Sequence, residues 1–431
     1  MLVNFRVSNL RSFYDEVEFS MQAENSVDEF SELNTFSVDE KLTGKNQNEL
    51  LKSALIFGAN ASGKSNLIQA LTVMAHLVVN SSRIGASILN IVEPFAFFED
   101  ALTLSTKFEI DIIAKDIFYN YSFELKEKKI ISEVLFKREN GRLVKVFERK
   151  NNQCTFCNKP KQSIDNIDNR ILIVSYAFSP FLSIAQSIKD LQNVLQWFTS
   201  NNLLVFDQGV INFYNVYQED NCKYEKQALE FLRRADIGIN NFVVETKRYD
   251  SRNMQFNRPV PPQLINSNGE ALELDIKTEF NIYNNKIDKK VVTQKIIYVD
   301  RNWGFHSEGT YRLVQMLGVI LKVLDKGGIL IIDEIDSKMH FYIIEKILEW
   351  FNSIDKNKSN AQLIATIHNQ KLMDSNFRRD QIWFTQKDEF GQTELYSLVD
   401  FKGVRKDDIF SKHYLAGFYS AIPNLQKAGI V

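Results

Sequence analysis

The chain has 431 residues, a length that predicts two or three packed units rather than a single hydrophobic core. Hydrophobic residues make up 44% and charged residues 25% of the chain, which excludes a disordered protein. Lys and Arg total 52 against 54 Asp and Glu, so binding to nucleic acid would depend on local basic patches rather than on a global positive field.

The composition also predicts a cytoplasmic protein with no membrane association. The N-terminal sequence "MLVNFRVSNLRSF" lacks a basic region followed by an apolar one, and no stretch approaches the ~18 apolar residues of a membrane span. Three cysteines, Cys154, Cys157 and Cys222, are too few for a disulfide framework and fit a reducing compartment. "CTFC" has the spacing of half a zinc site, but without a second ligand pair a structural or incidental role is favoured.

The first half of the chain reads as strands around one helix. Alternating apolar residues at 2–7 and 17–21 predict two antiparallel strands. Residues 54–58, "ALIFG", are typical of a buried strand entering a turn, and apolar residues at helical spacing follow from Leu67 to Leu77. Four alternating runs between 105 and 150 predict a β-meander.

The second half predicts an insertion followed by a return to the same core. Helical periodicity dominates residues 183–240, and "NRPVPPQ" at 257–263 marks a linker or rigid turn. From about residue 295, strands alternate with helices, which favours a largely parallel sheet covered by helices. The predicted fold class is α/β, with a mixed, largely parallel sheet, a β-meander and a mostly helical insertion. The predicted domains are 1–150 (first half of the core), 151–290 (insertion) and 291–431 (second half of the core).

The strongest motif is "GANASGKS", which fits G-x-x-x-x-G-K-[ST] between a predicted strand and a predicted helix. Small residues allow backbone N–H groups to surround a phosphate at a helix N-terminus. Lys64 is expected to reach the β- and γ-phosphates and Ser65 to coordinate Mg²⁺. The predicted nucleotide-binding residues of this loop are Gly58, Ala59, Asn60, Ala61, Ser62, Gly63, Lys64, Ser65 and Asn66.

Two further motifs lie late in the chain. "ILIIDE" ends a buried strand with Asp333, expected to hold Mg²⁺, and Glu334, expected to act as general base. "HSEGT" at 306–310 places Ser307 and Gly309 before an apolar helix, a pattern that is either a capped helix or a second site for an anion.

These motifs together resemble the ABC-type AAA ATPase heads of the SMC and RecF group, and most closely the AbiLi/RloA-like ATPases of bacterial abortive infection. The resemblance includes "SNLRSF" at 8–13, "DSKMH" at 336–340 and "YLAGFYSAIP" at 414–423. Two departures are Leu10, where an aromatic residue is usual, and "MHF" at 339–341, which lacks the usual Leu and Pro.

The resemblance implies a homodimer or higher oligomer in which two subunits enclose two molecules of ATP with Mg²⁺. Ser307 and the N–H of Gly309 would bind the γ-phosphate held by the other subunit, and His368 would sense that phosphate. Asp336 would cross the dimer interface, and Arg11 would either approach the nucleotide or lie exposed in a turn. The motifs fit GTP as well as ATP.

Two function classes follow from the resemblance. The first is an ATP-hydrolysing sensor in anti-phage defence that controls a separate effector, a nuclease or Toprim-type protein, with DNA or a phage component as the trigger. The chain itself has no D-x-D pair of the kind that Toprim nucleases use. The alternative is a DNA-repair or recombination ATPase acting on DNA directly. A transporter ATPase is disfavoured because the signature reads Ser-Glu-Gly-Thr.

One basic cluster is compatible with the DNA alternative. Lys247, Arg248, Arg252 and Arg258 are interleaved with aromatic residues, an arrangement that could follow a phosphate backbone. Acidic residues at 245 and 250 dilute the cluster, which favours a solvated face.

Overall fold

The computed structural model describes residues 1–44, 47–157, 162–179, 182–199, 203–206, 216, 222–235, 238–248, 272–298 and 307–422. The chain forms two compact units. The first comprises Met1–Val205, Gly327–Ile335 and Glu345–Val431, and the second comprises Phe206–Lys326 and Asp336–Ile344. The domains predicted from the sequence, 1–150, 151–290 and 291–431, have boundaries that differ from those of these two units. The division into functional domains stays a prediction.

An eight-stranded sheet forms one layer of the first unit, and its paired strands are antiparallel. The predicted N-terminal strand pair and the predicted β-meander both belong to it, and the meander continues beyond residue 150. The strand order is β11-β10-β9-β8-β7-β6-β1-β2. The strands are β1 Leu2–Ser8, β2 Val17–Ser20, β6 Thr106–Ala114, β7 Ile117–Lys126, β8 Lys129–Glu139, β9 Arg142–Lys150, β10 Gln153–Phe156 and β11 Gln162–Ile164.

A six-stranded sheet forms the second layer and carries the motifs. Its strands are β5 Ser53–Gly58, β12 Leu203–Phe206, β16 Ile329–Ile332, β17 Gln362–Thr366, β18 Ile382–Lys387 and β19 Thr393–Ser397. The order is β12-β16-β17-β5-β18-β19; β16, β17, β5 and β18 pair in parallel, and β19 pairs antiparallel with β18. Parallel strands buried on both faces read as continuous apolar runs, as "ILII" of β16 does.

Helix α3, Lys64–Ile84, packs in the core between these layers. Its buried side chains Leu67, Leu71 and Met74 recur at helical spacing and share one hydrophobic core with Phe108 of β6 and Ile331 of β16. The apolar residues that the sequence places at helical spacing therefore form the buried face of α3. The sheets and helices of this unit confirm the predicted fold class.

A buried polar cluster fixes the C-terminal end of α3 to the eight-stranded sheet. Glu133 of β8 is fully buried and accepts a hydrogen bond from the backbone N–H of Ile173 (2.8 Å). Arg149 of β9 lies 3.7 Å from Glu133. Burial raises the pKa of Glu133, and the Arg149 guanidinium opposes that shift. The backbone N–H of Leu172 donates to the hydroxyl of Ser81 on α3 (3.1 Å), so the same segment holds the helix in place.

The region predicted as a mostly helical insertion contains strands as well as helices. In the second unit, strands β13, β14 and β15 form a three-stranded antiparallel sheet. The expectation of mostly helices is corrected here because "LELDIKTEFNIY" alternates apolar and polar residues, the pattern of a half-exposed strand. These strands are β13 Asn241–Arg248, β14 Leu272–Tyr283 and β15 Val291–Tyr298.

The remaining elements are short or belong to the second half of the chain. Strands β3 Thr35–Ser37 and β4 Glu49–Leu51 pair with each other. The other helices are α1 Ser31–Asn34, α2 Glu40–Thr43, α4 Ser183–Ser187, α5 Lys189–Thr199, α6 Lys223–Arg234, α7 Glu308–Lys326, α8 Phe341–Asn352 and α9 Phe410–Leu415. Among the residues that the structure describes, no helix is both long enough and apolar enough to cross a membrane. The proline-rich run at 257–263 and the basic residues Arg252 and Arg258 lie outside the described residues.

Candidate functional site

The loop between β5 and α3 has a backbone that only glycine accommodates at two positions. Gly58 has φ +154° and Gly63 has φ +113°. A Cβ atom at Gly58 would lie 2.5 Å from the carbonyl oxygen of Thr385, and one at Gly63 would lie 2.3 Å from the hydroxyl of Thr393. Both approaches are closer than non-bonded atoms allow, so the first and last glycines of the motif are needed for the loop to close.

Two threonines of the neighbouring strands hold this loop. The hydroxyls of Ser62 and Thr385 lie 2.6 Å apart, and the hydroxyl of Thr393 donates to the carbonyl of Ser62 (2.9 Å). Thr385 and Thr393 are fully buried at the ends of β18 and β19 that face each other across the hairpin. The loop therefore has a fixed shape before any ligand binds, which favours binding by reducing the ordering cost.

Lys64 lies inside the loop, with only 5% of its surface exposed. Its ammonium donates to the carbonyls of Gly58 (2.7 Å) and Ala59 (3.0 Å). An ammonium held against the loop backbone at a helix N-terminus provides the charge and the N–H donors that a phosphate group requires. The loop thus offers a site for an anion, and the binding of the β- and γ-phosphates of a nucleotide stays a prediction from the motif.

The two carboxylates after β16 are oriented by a buried threonine of the adjacent strand. The hydroxyl of Thr366, at the end of β17, donates to Oδ1 of Asp333 (2.6 Å). The same hydroxyl accepts a hydrogen bond from the backbone N–H of Glu334 (2.6 Å). Glu334 has φ +50°, a conformation that non-glycine residues adopt rarely and that clusters at functional sites.

Sheet order places these carboxylates near the loop. β17 lies between β16 and β5, and all three run parallel, so their carboxyl ends meet at one edge of the sheet. Ala365 pairs with both Ile332 and Leu55, which puts these two residues of the outer strands about 10 Å apart. Carboxylate and hydroxyl oxygens, such as those of Asp333 and Ser65, are ligands that Mg²⁺ prefers, and water completes its shell.

His368 lies two residues beyond β17 at the same edge. Its Nε2 is 3.3 Å from Oε1 of Glu334, and both side chains are partly exposed. The structure therefore places Asp333 and Glu334 directly after β16, His368 after β17 and Lys64 after β5, all following parallel strands of one sheet. An imidazole at this distance can hold the carboxylate of Glu334 in place and respond to a neighbouring anion.

The signature residues lie in the second unit, at the start of α7. The hydroxyl of Ser307 accepts a hydrogen bond from the backbone N–H of Thr310 (3.1 Å), the contact of a helix N-cap. A Cβ atom at Gly309 would lie 2.2 Å from the carbonyl of Lys338, so this position also requires glycine. The ammonium of Lys338 pairs with the carboxylate of Glu308. The side chain of His340 accepts a hydrogen bond from the backbone N–H of Tyr342 at the start of α8 (3.3 Å), the contact of a helix cap.

Arg11 lies against α3 in the first unit. Its guanidinium donates to the side-chain oxygen of Gln69 on α3 and lies 3.6 Å from the carboxylate of Glu93. Leu10, where related heads carry an aromatic residue, is fully buried. Arg11 is thus held by two side chains rather than extended into solvent.

Several residues that shape the site were not predicted from the sequence. Thr366 ends β17, Thr385 follows the apolar run of β18 and Thr393 begins β19, positions that carry no motif in the sequence. Ser12 also belongs to this group, because its hydroxyl accepts from the side-chain amide of Asn66 (2.6 Å) and lies 2.8 Å from the hydroxyl of Thr393.

The cysteine pair lies apart from these residues, on the eight-stranded sheet. Cys154 is buried, and burial raises the pKa of its thiol, whereas Cys157 is exposed. Within the described part of the chain, no group of three or more His, Cys, Asp and Glu side chains is arranged to hold a metal ion. Any Mg²⁺ at the sheet edge would therefore need ligands from water and a phosphate besides Ser65 and Asp333.

One family model matches this chain. The family model described as "AAA domain, putative AbiEii toxin, Type IV TA system" matches residues 53–374, well over half of the chain. No match is found among curated proteins. The matched range contains the loop, the signature residues, both carboxylates and His368.

Two solved structures of SMC heads are similar at low identity. An SMC head bound to the C-winged helix domain of ScpA is 12% identical, with 92% of this chain and 97% of that chain covered and a TM-score of 0.45. The SMC head domain from Thermotoga maritima is 13% identical, with 92% and 98% covered and a TM-score of 0.38. Both TM-scores lie below 0.5, so neither likeness bears on function.

Substituting Gly63 by Ala is expected to distort the loop and weaken nucleotide binding. The new methyl group would meet the side chain of Thr393, and the positive φ adds strain, so unfolding free energy falls by more than about 1 kcal/mol. We expect ATP binding, measured by calorimetry, to weaken at least about tenfold, the equivalent of ~1.4 kcal/mol. Gly141→Ala is the matched control because Gly141 has φ +77° and nothing within 4 Å. Equal ATP affinity in both variants would contradict this account of the loop.

Proposed function

The chain belongs to the family of AAA domains described as putative AbiEii toxin of a type IV toxin–antitoxin system, and on that premise we propose that it binds and hydrolyses ATP with Mg²⁺. The observation that carries the proposal is the meeting of the Lys64 loop, Asp333, Glu334 and His368 at the carboxyl edge of three parallel strands. Ligands of open α/β sheets bind at this edge.

The loop and its lysine would bind the phosphates. Lys64, now bonded to the carbonyls of Gly58 and Ala59, would exchange those contacts for the β- and γ-phosphate oxygens. Ser65 and Asp333 would hold Mg²⁺, which supplies positive charge to the transferring phosphoryl group when bound. The hydrogen bond from Thr366 to Oδ1 of Asp333 fixes the position of this carboxylate after β16.

Glu334 would act as the general base. Its backbone is fixed by Thr366, and its carboxylate lies 3.3 Å from His368. A base must be positioned within hydrogen-bond reach of the attacking water, and a rigid strand end with a supporting imidazole meets that requirement. His368 would then report the γ-phosphate by changing its contact with Glu334.

The signature residues would complete the site of a second subunit. Ser307 and the N–H of Gly309 lie at the start of α7, where the helix N-terminus favours an anion. A homodimer or larger oligomer would bring this N-terminus against the γ-phosphate held by another copy, with Asp336 at the interface. Support for this assembly comes from the order of motifs and their resemblance to SMC- and RecF-type heads of the ABC type.

The finer role that we propose is a cytoplasmic sensor in anti-phage defence of the AbiLi/RloA type, which controls a separate nuclease or Toprim-type effector. The family description refers to a toxin of a type IV toxin–antitoxin system, which supports a role in defence. ATP binding would hold the assembled state and hydrolysis would release it, with a phage component or DNA as the trigger.

Glu334→Gln is expected to separate binding from hydrolysis. The amide cannot accept the proton of the attacking water, so turnover falls by about 10²–10⁴-fold while ATP affinity is retained. Lys64→Ala, in contrast, removes the charge that holds the phosphates and weakens ATP binding at least about tenfold. Phosphate release measures the turnover of both variants, and calorimetry measures their affinity for ATP.

Glu349→Gln is the control for loss of a carboxylate, since Glu349 is exposed on α8 and pairs only with Lys346 among the described residues. Its turnover is expected to equal that of the unmodified protein. If Glu334→Gln hydrolysed ATP at the rate of the unmodified protein, another group would be the general base. If Lys64→Ala bound ATP as tightly as the unmodified protein, the loop would not be part of the ATP-binding site.

The effector proposal predicts that the purified chain cleaves no nucleic acid. The carboxylates at the sheet edge, Asp333 and Glu334, are assigned to ATP, and the chain has no D-x-D pair. The measurement is incubation with plasmid, single-stranded DNA and tRNA in Mg²⁺ or Mn²⁺ with ATP. Cleavage that persists through further purification, and is lost in a point variant outside the ATP site, would show that the chain carries its own effector activity.

A further inference from the structure

A fully buried hydroxyl lies at the end of β17, among apolar side chains. Thr366 ends the strand, and the residues before it, Leu363, Ile364 and Ala365, are buried as well. Val has the same branching as Thr and suits such a strand, whereas a hydroxyl buried without partners costs free energy. The contacts of this hydroxyl therefore decide whether it belongs to the core alone or to the site at the sheet edge.

Thr366 holds three consecutive residues beyond β16. Its hydroxyl donates to Oδ1 of Asp333 (2.6 Å) and accepts from the backbone N–H of Glu334 (2.6 Å). Its carbonyl accepts from the backbone N–H of Ile335 (3.1 Å). A hydroxyl has a single hydrogen, so donating it to Asp333 leaves the oxygen lone pairs for Glu334. One residue thus fixes the carboxylate of Asp333 and the backbone that follows it.

The other edge of β17 connects Thr366 to the strand that enters the phosphate loop. Thr366 pairs with Ile56 of β5, and the backbone N–H of Ile367 donates to the carbonyl of Ile56 (3.0 Å). Ile56 lies two residues before Gly58, the first glycine of the loop. Thr366 therefore joins the strand before the loop to the acidic residues after β16.

The contact with Glu334 supports an uncommon backbone conformation. Glu334 has φ +50°, and residues other than glycine persist there only where surrounding contacts hold them. The N–H groups of Glu334 and Ile335, both bonded to Thr366, supply such contacts. In this conformation Oε1 of Glu334 lies 3.3 Å from Nε2 of His368. Without the hydroxyl, the backbone at Glu334 would relax and displace its carboxylate.

On the basis of the proposed hydrolysis of ATP, we propose that Thr366 is a positioning residue, which sets the turnover rate by holding Asp333 and Glu334 in place. It acts through these two residues, because its hydroxyl is bonded to both. The phosphate loop is held by other hydroxyls, those of Thr385 and Thr393. Loss of the Thr366 hydroxyl is therefore expected to lower kcat and to leave the affinity for ATP unchanged.

Thr366→Val in the full chain removes the hydroxyl and keeps the branched shape. We expect kcat, measured by phosphate release, to fall at least about tenfold, because a displacement of about 1 Å can cost about 100-fold in rate. The Kd for ATP without Mg²⁺, measured by calorimetry, is expected to stay within about twofold. The Mg²⁺ concentration for half-maximal turnover is expected to rise, since Asp333 loses its hydrogen bond. Thr366→Ser keeps the hydroxyl and is expected to retain most of the turnover.

Thr278→Val is the matched control for loss of a buried threonine hydroxyl. Thr278 of β14 is fully buried, and its hydroxyl donates to the carbonyl of Ile297 (3.1 Å) in the second unit. The kcat of this variant is expected to equal that of the unmodified protein. If thermal unfolding shows that Thr366→Val does not fold, Thr366→Ser and Thr366→Ala, which differ by one hydroxyl, give the same comparison.

Combination with Glu334→Gln separates positioning from a general loss of structure. Thr366→Val is expected to lower the turnover of Glu334→Gln by a smaller factor than it lowers that of the unmodified protein, since the base is already lost. Equal factors in the two backgrounds, an unmodified kcat for Thr366→Val, or a Thr366→Ser protein as slow as Thr366→Val would overturn the role of Thr366 alone. Absence of ATP hydrolysis by the unmodified protein would instead overturn the proposed ATPase function, and this role with it.

Discussion

The hydroxyl of Thr366 is the contact on which the chemistry of the sheet edge depends. It donates to Asp333 and accepts from the backbone of Glu334, so one buried atom of β17 sets the direction of both carboxylate residues after β16. Adjacent acidic residues at a strand end would otherwise repel each other and turn towards water. With their backbone fixed, the two side chains can take different tasks, metal ligation for Asp333 and proton transfer for Glu334.

The phosphate loop is constrained in the same way by its neighbours on the other side of β5. Thr385 and Thr393 approach Gly58 and Gly63 so closely that a single added methyl group would collide with them. Behind the loop, α3 is anchored by Ser81 and by the buried pair of Glu133 and Arg149 on the eight-stranded sheet. The proposed ATPase site thus depends on three features of the fold. Threonines fix the shape of the loop, a polar cluster fixes the helix, and the parallel sheet places the strand ends at one edge.

The motif residues could be predicted from the sequence because their chemistry imposes local patterns. Gly58, Gly63 and Lys64 follow a strand at fixed spacing, and the apolar run before Asp333 identifies a buried parallel strand. The threonines could not be predicted, since they contact the loop only through strand pairing between residues far apart in the chain. The strands β13 and β14 were missed because a half-exposed sheet has a weak apolar signal among helices.

A cavity of about 950 Å³ in the first unit could not be predicted for a related reason. Its carboxylates come from β2, β6, β19 and neighbouring loops, and each is an ordinary polar residue in its own segment. Only the fold brings them to one volume. A functional site formed by a local motif can therefore be predicted from the sequence. A surface formed by polar residues of several strands can be identified only from the fold.

Complementation between two inactive variants tests the central claim, a composite ATP site shared by two copies. Lys64→Ala lacks the phosphate loop charge and Ser307→Arg lacks the signature contact, so neither is expected to hydrolyse ATP alone. Mixed in equal amounts and allowed to exchange subunits, they would form heterodimers with one intact site, and turnover is predicted to recover to about a quarter of the unmodified rate for random dimers. A mixture no more active than its separate components, despite exchange, would contradict the shared site.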